Sequence, residues 1–177
     1  KLPESGLSSV LAPSQARHWE FNNGRRVRMG AAVLGGTLFI FACHSYFAYS
    51  AERMAGVSLA ACILSLVALY LASTRQETLV SSNVLIASLY VQVFGEMLLN
   101  GGLSAPATPL ATLIVPAAYL LCPYGSRSIL RWCLLVGLSL VFMALLESAS
   151  LTLENELGPE TQRLDKLHSL VLGVLCG

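Results

Sequence analysis

Three ionisable side chains in this 177-residue chain fall inside apolar runs: His44 in "FACHSYF", Glu96 in "VFGEMLL" and His168 in "LDKLHSLVL". Placing such a group in hydrocarbon costs about 2.5 to 3.5 kcal/mol on insertion scales, so each one needs a reason. Two imidazoles and a carboxylate could bind a borderline metal ion or respond to a protonation signal. Two histidines on facing helices could instead hold a haem or chlorophyll in a bundle core. The plainest alternative is that the histidines are interfacial residues with a wet polar end and that Glu96 snorkels to the headgroups. No other residue pattern points to catalysis. There is no GxSxG elbow, HExxH or P-loop, and serines such as Ser45 and Ser139 have no paired base at readable spacing. The chain reads as a non-enzyme, with no catalytic residue and no cofactor named by its sequence.

The elements that must position these residues are set by composition. Hydrophobic residues make up 55% of the chain and charged residues only 12%, where soluble domains carry roughly 25% charged, and mean hydropathy is +0.66. The formal net charge of +1 provides no basic face for nucleic acid. Apolar runs near Val27 to Tyr49, Met54 to Ala72, Leu79 to Leu99, Ala107 to Cys122 and Ile129 to Leu146 predict five helices crossing a roughly 30 Å hydrocarbon core. A sixth begins at Leu164 and is cut short at Gly177. The expected fold is therefore an all-α polytopic membrane helix bundle of six helices, the last truncated, spanning residues 25–177. Residues 1–24, with Pro3, Pro13, Asn22, Asn23 and Gly24, read as a loosely ordered cytoplasmic arm.

Lysine and arginine set the orientation. Lys1, Arg17, Arg25, Arg26, Arg28, Arg75, Arg127 and Arg131 fall on one side of the expected membrane, and Arg53, Arg163 and Lys166 on the other. The richer side, with the N-terminus, is expected to be cytoplasmic. At about 1.5 Å per residue, His44, Glu96 and His168 then lie at one depth, roughly 6 to 8 Å below the outer surface. Glu96 shares a face with Gln92 and Ser88, a polar stripe better directed towards protein than lipid. Asn100 and Glu147 lie nearby at helix ends, and the whole group is expected to converge on an outward-facing pocket.

Between the third and fourth runs, "LLNGGLSAPATPL" is an external turn. Gly101 and Gly102 can take positive φ at the end of helix three, and Pro106 has no amide to lose at the start of helix four. Pro116, inside helix four, is expected to kink it. The five cysteines, Cys43, Cys62, Cys122, Cys133 and Cys176, lie in apolar stretches without CxxC spacing and read as small buried hydrophobes.

The "NGGLSAP" turn, the short basic loop "CPYGSRSILR", a long helix five and an acidic outer loop before helix six make this layout similar to the six-span input domains of bacterial sensor histidine kinases, of the type IV pilus and redox-responsive kinds. That resemblance implies a multi-pass protein of the bacterial inner membrane, a homodimer or part of a larger membrane complex, with a two-component output module following helix six. The function expected is signal input, coupling an outer-side or intramembrane signal to a cytoplasmic output. A structural or cofactor-holding subunit of a membrane assembly is the alternative.

Overall fold

The computed structural model describes residues 13–148 apart from 76 and 123–126. It is all-helical there: α1 (Pro13–Tyr49), α2 (Glu52–Tyr70), α3 (Thr78–Leu99), α4 (Thr108–Leu121) and α5 (Arg127–Ser148). A π-helical turn, Leu71–Arg75, continues α2, and a 3₁₀ turn, Gly102–Ser104, follows α3. The sixth helix expected from Leu164 lies outside the described residues, so the described bundle has five helices.

The bundle is built around α3. Its neighbours are α2 and α4 along its length, with α1 and α5 also packed against it. Residues all round the helix are buried, from Ser81 and Ser82 through Leu85, Ile86, Ser88 and Leu89 to Gln92, Val93, Glu96 and Met97. By contrast α5 buries only Ile129, Val136 and Met143. Those positions are seven residues apart, which gives one narrow seam on a straight helix.

Polarity is inverted relative to a water-soluble domain. Large apolar side chains face outward, among them Phe39, Phe47, Ile63, Leu66, Leu138 and Leu145, whereas Asn23, Ser58, Ser65, Ser81, Ser88, Gln92 and Glu96 are buried. Small residues let α2 approach closely: Ser58, Ala61, Cys62, Ser65 and Ala68 make up most of its buried face. This is the packing expected where lipid removes any hydrophobic drive between helices and close van der Waals contact takes over. Four segments are long and apolar enough to cross a membrane, namely Phe21–Tyr49, Glu52–Thr74, Thr78–Leu99 and Arg127–Ser148.

Two expectations are corrected. The boundary placed after residue 24 falls inside α1, which is helical from Pro13. A proline as the first helical residue loses no intrahelical bond, and the apparent breakers Asn23 and Gly24 are accommodated by tertiary packing. Asn23 donates to Ser82 Oγ and to the Leu121 carbonyl, and Gly24 lies 3.7 Å, from an ideal Cβ, to Thr78 Oγ1. The fourth run is also too short: α4 has 14 residues, about 21 Å at 1.5 Å per residue, so it cannot span alone. It continues unbroken through Pro116, which is exposed.

The short α4 is matched by the stretch before it. Gly102, Ala105 and Ala107 are buried, so the 100–107 turn packs into the end of the bundle where α3 finishes. Its polar backbone is satisfied locally. Ser104 Oγ donates to the Gly101 carbonyl at 2.7 Å and Thr108 Oγ1 to the Leu103 carbonyl at 2.8 Å. The Leu103 amide donates to the Glu147 carboxylate at 3.3 Å. Gly101 and Gly102 both have positive φ, +98° and +70°, a backbone no β-branched residue adopts without strain. Pro109, not Pro106, occupies the first turn of α4. Pro106 stands earlier, within the turn itself, where its fixed φ costs nothing.

Candidate functional site: a buried carboxylate between α2 and α3

Glu96 is completely buried, in the last turn of α3. One turn earlier Gln92, also buried, donates its side-chain amide to the Glu96 carboxylate. The i, i+4 spacing on a helix makes this pair adjacent without help from other elements. Ser88, Gln92, Glu96 and Asn100 continue the same stripe, and all four are buried.

Two ends of the stripe, and Gly95 beside it, lie against α2. Ser88 Oγ donates to the Ala61 carbonyl at 2.6 Å, Asn100 Nδ2 lies 3.7 Å from Met54 Sδ, and an ideal Cβ on Gly95 would stand 2.4 Å from Val57 Cγ1. The helices are antiparallel, so these pairs define a register that runs from Ala61 against Ser88 to Met54 against Asn100. Ser58 lies on the buried face of α2 one turn from Cys62 and two from Ser65, whose side chains donate to carbonyls of α1. Ser58 Oγ and Gln92 Oε1 are both buried and have no hydrogen-bond partner among the described residues. Each such orphan costs about 1 to 3 kcal/mol in desolvation.

The other expected members of the site are elsewhere. His44 is exposed on α1 and its ring meets Tyr49 edge-on, at a centroid separation of 5.2 Å. It points away from the bundle and is not packed beside the buried Glu96. His168 lies outside the described residues. Glu147 is exposed and serves the 100–107 turn. Among the described residues no three of His, Cys, Asp and Glu group as metal ligands. Cys62 and Cys122 are buried, Cys43 and Cys133 half-buried, and all four are free thiols. A groove of about 490 Å³ opens between the C-terminal half of α1 and the N-terminal half of α2, lined by Phe39, Cys43, Tyr46, Phe47, Glu52 and Leu59 among others. It shares no residue with the Glu96 cluster.

Ser58 and Gly95 carry no motif and are missed by a reading of the sequence. The signal for Ser58 was present: Ser58, Ala61, Ser65, Ala68 and Ala72 recur at three- and four-residue spacing, a stripe of small residues along one helix face.

At its N-terminal end α3 has a second polar cluster. Ser81 Oγ and Ser82 Oγ donate to carbonyls one turn back, at 2.9 and 2.7 Å. Asn23 ties α1 to Ser82 and to the last carbonyl of α4. Along the α3–α5 interface, Trp132 Nε1 donates to Asn83 Oδ1 at 2.9 Å and Tyr90 shares a hydrogen bond with Ser139.

These features define an all-helical bundle with the helix lengths, apolar exterior and small-residue packing of membrane-spanning segments. The chain matches no protein-family model, no curated protein and no solved structure.

Proposed function

We propose that this chain is a membrane-embedded signal-input module, with its N-terminus cytoplasmic, whose sensing element is the Glu96 cluster at the outer end of α3. One observation carries the reading. A carboxylic acid is completely buried, on the helix that every other described helix packs against. An ionisable group so placed is expensive, and packing alone would be served better by leucine.

The geometry provides a route for coupling. A change in charge at Glu96 alters the fit of α3 against α2 around Gly95 and Val57. Because α3 is one continuous helix, a shift there is carried to its inner end, where Ser82 and Asn23 link it to α1 and α4. Coupling of this kind needs a two-state element that both ends bias, and α3 is that element in this reading. The basic residues Arg25, Arg26, Arg28 and Arg127 at the inner helix ends support the cytoplasmic assignment of that face.

The test is a distance measurement across the inner face. Spin labels at Arg26→Cys and Arg127→Cys, in a chain whose native cysteines are replaced by alanine, report the separation of α1 and α5 in lipid nanodiscs. Glu96→Gln, which keeps shape but removes the charge, is expected to shift that distance distribution. Identical distributions with and without the substitution would favour a static structural subunit.

A further inference from the structure

We propose that the arginines gathered at one end of the bundle, Arg25, Arg26 and Arg28 on α1 with Arg127 and Arg131 on α5, form a collar that binds the headgroup phosphates of anionic phospholipids. The proposal stands apart from the signal-input reading and does not need it.

Register brings the five to one level. Helices α1, α3 and α5 run in the same direction. On one side of α3, Gly24 lies against Thr78 and Gly30 against Leu85, so residues 25–28 stand beside the first two turns of α3. On another side, Asn83 donates to Ser128 and accepts from Trp132. The stretch from Arg127 to Arg131, about 6 Å along its helix axis, therefore stands beside the same two turns. The end of α4 lies between the two groups, where its Leu121 carbonyl accepts from Asn23 and its neighbour is α5.

All five arginines are exposed. Arg28 reaches across to α2, with Nη1 3.4 Å from the Ala72 carbonyl. The other four are paired with no acid among the described residues. Of the acids whose side chains are described, Glu77 alone lies at this end, and Glu52, Glu96 and Glu147 lie at the other. The collar is thus a concentrated positive charge with little to offset it.

The surface beside the collar decides what kind of anion it fits. Along each helix the arginines give way directly to exposed apolar side chains, Met29 and Val33 on α1 and Leu130, Leu134 and Leu138 on α5. A free phosphate or a nucleic acid would neutralise the guanidinium groups and leave that apolar surface bare. A phospholipid covers both at once, with its phosphate on the planar fork of an arginine and its acyl chains on the leucines. Basic groups at a bilayer surface favour lipids of net negative charge over zwitterionic ones, whose amine offsets the phosphate.

Spin-labelled lipids test the proposal. The full chain is reconstituted in phosphatidylcholine vesicles, and the fraction of probe immobilised at the protein surface is measured for labelled phosphatidylglycerol and labelled phosphatidylcholine. Phosphatidylglycerol is expected to associate roughly threefold more strongly at low salt, with the preference shrinking as salt is raised. Arg25→Gln with Arg26→Gln, and separately Arg127→Gln with Arg131→Gln, should each remove about half of the preference. Each pair alters one helix only, so the comparison holds if the fourfold variant fails to fold. Equal association of the two probes with the unaltered chain would overturn the proposal, and so would a preference that survives both double variants. Loss of the preference on adding inorganic phosphate at constant ionic strength would overturn it as well, by marking a site for the free anion.

Discussion

The two ends of α3 hold buried polar clusters of opposite character. At the N-terminal end, Thr78, Ser81 and Ser82 lie beside Asn23, a neutral group in which the serine hydroxyls donate to carbonyls of the chain just before them and the Asn23 amide bridges to neighbours. At the C-terminal end, the Gln92 amide donates to the carboxylate of Glu96, a completely buried ionisable acid. The N-terminal cluster has the chemistry of a fastener, since its hydrogen bonds join neutral groups. The C-terminal cluster holds the one carboxylic acid of the helix. One helix thus carries a neutral end and an ionisable end.

The largest expected effect breaks the outer end by volume. Gly95→Ala puts a Cβ against Val57 and should cost roughly 2 kcal/mol, read from unfolding in detergent. Val57→Ala in the same chain should recover most of it. Failure of that rescue would show that the two helices do not meet at this point. Next comes the turn above it: Gly101→Val or Gly102→Val should cost about 1 to 2 kcal/mol each, from strain at positive φ. Wild-type stability in both variants would remove the left-handed backbone from the account.

A smaller effect separates the ends directly. Asn23→Ala removes two hydrogen bonds and should lower stability by about 1 kcal/mol, read from unfolding in detergent. Wild-type stability in this variant would show that the neutral end does not fasten α3 to its neighbours. The smallest effect is a gain. Ser50, between α1 and α2, has φ +53°, so Ser50→Gly should stabilise by roughly 0.5 kcal/mol, visible as a small rise in Tm.

The sequence made the α3 stripe legible because Ser88, Gln92 and Glu96 recur at four-residue spacing, and in a helix that spacing alone places them on one face. It made four spans legible because twenty apolar residues have few other uses. Rotation was not legible. His44 and Glu96 share a depth, yet His44 points outward and Glu96 inward, and depth says nothing about the angle of a helix about its own axis. Helix α1 was cut short in the sequence reading since Asn23 and Gly24 look like breakers until their partners on α3 and α4 are known. Length alone overstated α4: the apolar residues before Thr108 belong to a buried turn, which the alternation of Gly, Pro and Ala indicates but hydropathy does not.

The link between α1 and α2 is only Ser50 and Ala51, closed by hydrogen bonds from their amides to the Tyr46 and Ser45 carbonyls. Two apolar helices joined so tightly form a helical hairpin whose only charges at the tip are Glu52 and Arg53. For biogenesis in a bilayer this hairpin is a natural unit of insertion. Both halves emerge before α3 is synthesised, and they can pair through Cys62, Ser65 and the α1 backbone carbonyls they reach. The polar α3 would then enter against a surface already built to receive its serines, and its buried acid need never meet the hydrocarbon unaccompanied.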